Sequence, residues 1–368
     1  MKVLYLAFFL ILCSCIDHGS NSNDSNETVQ LSEELVKVKY AEGFKVDYNE
    51  NYTAVISRSI AGNDNFSDTI KLIHSESGDL SGKSILSSLS SINCQSSTHL
   101  AFIDALDALS LVSGHCGIQY ISNEKVKGVF KAQKVEEICL GESVSIEPLL
   151  STNPDLFLAY PFAKEEIQNI ESKGVQTFLI AEYLETHPLA RLEWIKLFGV
   201  LLQKEKEANQ LFATYEKEYL ELAKEEIDTT RDFILNLPYG DNWYSPSANS
   251  LLVKLCEDAG FSYYYKDEVG TENMLHSTEQ VWVDGTFAEY WIIIADRPDS
   301  FTKEELISEE AVYGNFKSVQ NNKVIFCSSA DSDYFFSGVI EPHIILKDLI
   351  HCVEPFEGYS PKYFHLLN

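Results

Sequence analysis

Residues 188–226 read PLARLEWIKLFGVLLQKEKEANQLFATYEKEYLELAKEE, and the reading of this stretch decides the fold. It has no proline after Pro188 and a single glycine, Gly199. Leu192, Ile195, Phe198, Leu201 and Leu202 fall on one helical stripe, as do Ala208, Leu211, Phe212, Tyr215 and Tyr219. Thr186 or His187 can cap the start, and Pro188 suits a first turn, where a missing N–H costs nothing. Read as one helix, the 39 residues would run about 58 Å at 1.5 Å per residue. That is far longer than an ordinary domain helix, and the expectation is a rigid strut joining two lobes.

The pattern differs on either side of it. Residues 36–40, 44–48, 53–57 and 69–73 alternate apolar with polar side chains, the period-two signal of half-exposed strands. From about Lys83 onward, strand and helix signals alternate. Strands are expected at 85–92, 155–159 and 176–180, with helices at 98–109 and 163–173. The second half repeats this: strands at 232–237, 290–295 and 323–326, helices at 249–259, 279–284 and 342–350. Alternating β and α elements pack as parallel sheets with helices on both faces. The chain therefore divides into 33–186, an N-terminal lobe with a β-rich start, the linking helix 187–226, and a C-terminal α/β lobe, 227–368.

The first residues carry an address. Lys2 is followed by ten apolar residues, 3–12, and no acidic residue precedes Asp17. Ten residues span roughly 15 Å as a helix, half a bilayer core, so this is a signal-peptide core and not a membrane span. Leu12-Cys13-Ser14-Cys15 then resembles the bacterial lipobox, in which the cysteine is diacylated and becomes the first residue. Residues 1–15 are thus expected to be a lipoprotein signal ending at lipidated Cys15, and the Asn-, Ser- and Asp-rich residues 16–32 a flexible tether. These readings place the chain outside the cytoplasm, in the periplasm and anchored to a membrane.

Composition excludes whole classes of function. A net charge of −28 rules against nucleic acid, whose phosphates demand a cationic face. Six cysteines remain after Cys13 and Cys15: Cys94, Cys116, Cys139, Cys256, Cys327 and Cys352. None has metal-ligand spacing; an oxidising compartment permits disulfides, whose pairing sequence does not give, and buried free thiols are the favoured expectation. Gly82-Lys83-Ser84 would end a phosphate loop only with glycine at position 77, which is Ser77. GxSxG and HExxH are absent. Cys116 beside His115 is a poor nucleophile pair, because adjacent residues on a strand face opposite ways. The nine histidines show no spacing that gathers a metal site.

Several stretches carry a family resemblance when taken in order. Ser145-Ile146-Glu147-Pro148-Leu149-Leu150 precedes Asn153-Pro154-Asp155-Leu156. Glu182-Tyr183-Leu184-Glu185 leads into the 188–196 segment. Asn242-Trp243-Tyr244-Ser245-Pro246 is followed by Leu251-Leu252 and Asp258-Ala259-Gly260, and Glu341-Pro342-His343 by Leu346-Lys347-Asp348-Leu349. Together, from about Tyr40 to Leu367, these resemble the class III substrate-binding proteins of ABC importers, in their Bacteroidetes-type lipoprotein form. The resemblance implies an α/β fold of two Rossmann-like lobes joined by one long rigid α-helix, with the ligand cleft between the lobes. It implies capture of an iron–chelate complex of the siderophore type, or alternatively cobalamin or haem, for an ABC permease and its ATPase. It implies no cofactor and no catalysis; the rival from another class is a secreted lipoprotein hydrolase.

Open α/β sheets bind ligands at the C-terminal ends of their strands. On that rule the candidate ligand-binding residues are Ser97, Thr98, His115 and Tyr120 in the first lobe, and Trp243, Tyr244, Tyr334 and Phe336 in the second. Aromatic faces suit a large planar or apolar ligand. In the resembling family one glutamate per lobe meets arginines of the permease, and the matching positions here are Glu147 and Glu279.

Overall fold

The computed structural model describes residues 35–60, 66–74, 81–141, 143–268, 270 and 273–368. The expected signal, Cys15, the tether and Ser77 lie outside the described residues.

The early alternating segments form a four-stranded sheet. β1 (Phe44–Tyr48), β2 (Tyr52–Arg58) and β3 (Ser67–Ile73) pair antiparallel, and β4 (Ser84–Leu86) joins β3 in parallel. Phe44, Val55, Ile70 and Leu72 form its buried face. Residues 36–40 are not a strand, although they alternate. The N–H groups of Lys39, Tyr40 and Ala41 instead donate to the fully buried carboxylate of Glu193 at 2.6–3.0 Å, and those of Glu42 and Gly43 to Glu185. Two carboxylates thereby take the donors that a β ladder would have used. The expected strand 85–92 is likewise split. Its first residues stay in β4, its last begins the next sheet, and Asp155 holds the connection through the N–H groups of Ser90 and Ser91.

β5 (Ile92–Cys94), β6 (Val112–His115) and β7 (Glu136–Glu137) start the first parallel sheet. After the hairpin of β8 (Cys139–Leu140) and β9 (Ser143–Val144), the sheet is completed by β10 (Leu156–Ala159) and β11 (Thr177–Leu179), in the order β11-β10-β5-β6-β7. The second sheet contains β12 (Asp232–Leu235), and β13 (Asn242–Pro246) lies beside it in sequence as half of a separate ribbon. β14 (Ser262–Tyr263) joins the sheet, and β15 (Asn273–Ser277) completes the ribbon with β13. β16 (Tyr290–Ala295), β17 (Val324–Ser328) and the antiparallel β18 (His365–Leu366) give the order β14-β12-β16-β17-β18. Ile234, Leu235, Trp291, Ile292, Ile293, Ile325 and Phe326 have no exposed surface, as strands covered on both faces require.

The expected 39-residue strut is not one helix. Pro188–Leu202 and Glu205–Leu222 are separate helices, broken where Gln203 turns left-handed at φ 56°. They run antiparallel: His187 stands 6.4 Å from Tyr219, the Lys196 ammonium lies 4.0 Å over the Phe212 ring, and Gly199 faces Ala208. At 15 and 18 residues they reach about 22 and 27 Å. The start is as read from sequence, with His187 Nδ1 accepting from the Leu189 N–H and Pro188 in the first turn. The first helix is buried nearly all round, so its apolar face meets the second helix as well as both lobes.

The cysteines also depart from the expectation of free thiols. Cys94, Cys256, Cys327 and Cys352 are buried and free, but Cys116 and Cys139 form a disulfide, tying the end of β6 to β8. No helix among the described residues is long and apolar enough to cross a membrane.

Candidate ligand-binding cleft

Both parallel sheets reverse direction partway across. In the first, the chain enters at β5, moves outward to β7, then returns to the other side of β5 at β10. In the second, β12 is flanked by β14 and then β16. Loops leaving two such strands diverge to opposite faces and open a crevice at their C-terminal ends.

The crevice of the second sheet is a cleft of about 880 Å³, within the range of small-molecule sites. The loop after β12 contributes Asn236 and Tyr239, the loop after β16 contributes Asp296 and Arg297, and the loop after β17 contributes Tyr334 and Phe335. Asn236 takes φ 66°, a turn that asparagine tolerates better than most residues. The opposite wall is Tyr183, just after the first sheet, with Arg191 from the Pro188–Leu202 helix. Tyr183 stacks edge-on against Tyr160 at 5.5 Å and lies 5.1 Å from Phe162. Since Tyr160 follows β10, this ring cluster links the reversal point of the first sheet to the cleft.

Two guanidinium groups reach the cleft, each backed by a carboxylate. Two of the chain's four arginines line this cleft in a protein of net charge −28. Arg191 is held from behind: its Nη2 stands 3.6 Å from an oxygen of the fully buried Glu182, which also accepts the Thr98 hydroxyl at 2.7 Å. Arg191 Nε is buried with no hydrogen-bond partner among the described residues. Arg297 is fixed by Glu309 at 2.8 Å and by the Asp296 carbonyl. The Leu251–Asp258 helix, capped by Ser250, adds the positive end of its dipole, since Ser250, Leu251 and Leu252 line the cleft. Of the two acids in the lining, Glu185 is spent on the Glu42, Gly43 and Trp194 N–H groups, and Asp296 is exposed. Burial raises the Tyr334 phenol, keeping it neutral.

Of the residues expected in the site, Tyr244 and Tyr334 line the cleft. Trp243 does not: it lies in β13, not in a loop, with no exposed surface, and its N–H donates to the Leu235 carbonyl at 2.8 Å. Phe336 is buried, one residue beyond Phe335, which does line the cleft. Thr98 is turned inward onto Glu182, while Ser97 is half-buried in the first turn of the Ser97–Ala105 helix. His115 is buried, Nδ1 against the Cys94 carbonyl at 2.9 Å, and burial lowers its pKa to about 4. Tyr120 is 84% exposed beside the first lobe and outside the lining. Sequence reading passes over Arg191, Arg297, Tyr183 and Tyr239. Arginine scarcity was the available signal for the first two; the tyrosines carry none, since the chain holds 19.

A model of the periplasmic binding protein family matches residues 96–330. An uncharacterized lipoprotein of Methanocaldococcus jannaschii is 26% identical over 289 residues, which are 75% of this chain and 68% of the relative. Among solved structures, a periplasmic binding protein of Veillonella parvula superposes with TM-score 0.60 at 13% identity, over 82% of this chain and 99% of that one. A periplasmic haem-binding protein of Pseudomonas aeruginosa gives 0.58 at 12% identity, over 76% and 98%. A petrobactin-binding protein of Bacillus subtilis gives 0.55 at 15% identity, over 72% and 91%. At such identities the structures speak for the fold, two lobes of α/β sheet, and the family match takes in every strand of the two sheets except β5 and β18. The chain belongs to the periplasmic binding protein family, in the class III form that its sequence resembles.

Proposed function

We propose that this chain is the ligand-capturing lipoprotein of an ABC importer, anchored through Cys15, which takes up an anionic iron–chelate complex of the siderophore type and hands it to the permease and its ATPase. It performs no catalysis. The observation that carries this reading is the pairing of Arg191 and Arg297 with the rings of Tyr183, Tyr239, Tyr244, Tyr334 and Phe335 around a cleft of about 880 Å³. Guanidinium groups recognise planar oxyanions through a fixed fork of donors, and aromatic faces cover the apolar body of a chelate. Family membership, a lipoprotein relative and neighbours that bind haem and petrobactin support the same class of ligand.

The test uses the chain from residue 16 onward, titrated by intrinsic fluorescence with four probes: a ferric tricatecholate complex, a ferric trihydroxamate complex, haemin and cyanocobalamin. The expected result is tightest binding of the trianionic tricatecholate complex. Arg297→Ala and Tyr239→Ala, both at exposed positions, should each weaken it by about 1–3 kcal/mol, the range for removing an anchor residue. Tightest binding of cyanocobalamin or haemin would move the ligand to those alternatives. Failure to bind any of the four would overturn the reading.

A further inference from the structure

The cleft is bridged at one side by a single carboxylate. Ser122 and Asn123 lie between β6 and the Glu124–Gln133 helix of the first lobe, and Asp333 lies in the loop after β17 of the second. The Ser122 hydroxyl donates to one oxygen of Asp333, and the Asn123 side-chain amide donates to the other at 2.7 Å. These bonds join residues 211 and 210 positions apart.

Each partner is held so that it has little choice. Asn123 uses its own amide oxygen to cap the following helix, accepting from the Val126 N–H at 3.2 Å, which leaves its NH₂ to face Asp333. The loop before it is fixed by the Cys116–Cys139 disulfide and by Glu137, which accepts the N–H groups of Gly117, Ile118 and Cys139. Asp333 sits at φ 58°, and its carbonyl accepts from the Phe336 N–H at 2.9 Å. The residues between, Tyr334 and Phe335, are the aromatic wall of the cleft.

We propose that Asp333 is a positioning residue for ligand capture: a clasp that holds the two lobes together across the cleft and presents Tyr334 and Phe335 to the ligand. Entry and exit then require its release. This rests on the reading of the cleft as the ligand site. A carboxylate with both oxygens committed to donors of the other lobe is a two-point link, and hydrogen bonds to an ionised acceptor are the strong ones. Such a link sets how often the lobes part, and therefore shows most in the dissociation rate.

The experiment begins without ligand. Spin labels at Lys131→Cys and Glu304→Cys, exposed positions on opposite lobes, report the interlobe distance in the chain from residue 16 onward; the four free cysteines among the described residues are buried. Asp333→Ala should broaden the distribution or shift it relative to the parent. The exchange Asp333→Asn with Asn123→Asp swaps donor for acceptor while keeping a good helix cap, and should restore the parent distribution. With the ferric tricatecholate probe, Asp333→Ala should raise the dissociation rate at least tenfold, and the exchange should reverse this. Ligand-free distributions that superimpose for parent and Asp333→Ala overturn the clasp, whatever the ligand proves to be. Lobes that part in Asp333→Ala while neither protein binds the probe would uphold the clasp and overturn the ligand reading instead.

Discussion

Trp243 and Trp291 lie 5.9 Å apart with no exposed surface, and their indole N–H groups donate to the carbonyls of Leu235 and Asn236, the last residue of β12 and the first of the cleft loop. A tryptophan beside Tyr244 invites a ligand-stacking reading, but the two residues alternate along β13, so one ring enters the core and the other the cleft. Replacing Trp243 with alanine should lower unfolding stability by about 3–5 kcal/mol, the cost of emptying an aromatic core position. Replacing it with phenylalanine keeps most of the volume and strands the Leu235 carbonyl, which costs about 1–3 kcal/mol. Denaturant melts of both variants check this, and an unchanged midpoint for Trp243→Ala would put the indole back in the cleft. The same distinction explains how much of the site could be read in advance. Tyr244 and Tyr334 were legible because they follow strand signals in polar surroundings. Arg191 was hidden in the apolar stripe of its helix, and its role depends on Glu182 and Thr98, 9 and 93 positions away.

Between Pro188 and Leu222, packing decides what periodicity leaves open. Gln203 and Lys204 are ordinary helix formers, so no local signal marks the turn, and both helices continue the apolar period on either side. The turn exists because Gly199 lets Ala208 approach: a Cβ on Gly199 would stand 2.6 Å from that of Ala208 and 3.1 Å from the Lys204 carbonyl. Gly199→Ala therefore sets two effects against each other. Helix propensity favours alanine by about 1 kcal/mol, while overpacking costs about 1–3 kcal/mol. Because one close contact is to backbone and the other to a side chain with no rotamer to change, the clash should win. Gly199→Ala should melt lower than the parent, and Gly199→Ala with Ala208→Gly should recover part of the loss in a double-mutant cycle. A single variant more stable than the parent would mean that the helices stand further apart. Other elements were legible where local pattern and packing agree: β1, β2, β3, β10, β11, β12, β16 and β17 fall within two residues of their hydrophobic runs. Residues 36–40 show the opposite case. Their alternation is that of a strand, but the Val36 N–H donates to the Tyr48 hydroxyl, and those of Lys39 and Tyr40 to the buried Glu193, 153 positions on from Tyr40.

At the scale of the whole molecule, the two lobes repeat one arrangement, and this bears on how the protein meets its partner. Glu147 lies in the first turn of Ile146–Ser151, the helix before β10, and Glu279 in the first turn of Thr278–Gly285, the helix before β16. β10 and β16 are the strands across the reversal point of each sheet, beside β5 and β12. The two glutamates thus hold equivalent topological positions, one per lobe. Both are exposed, and neither takes part in a hydrogen bond or ion pair among the described residues. Each is followed by an exposed apolar side chain on the same helix face, Leu150 after Glu147 and Val283 after Glu279. We propose that these carboxylates meet arginines of the two permease subunits, as the family resemblance implies. Carboxylates that support nothing within the fold can be removed at little cost to it, since substitutions at such exposed sites rarely exceed 0.5 kcal/mol or so. Rim charges govern encounter and register between partners. Glu147→Ala and Glu279→Ala should each leave the melting temperature and ligand affinity unchanged while slowing uptake in cells, and the double variant should abolish stimulation of the importer's ATPase in proteoliposomes. Variants that bind ligand less well yet still drive transport would show that the carboxylates serve the cleft and that the permease grips another surface.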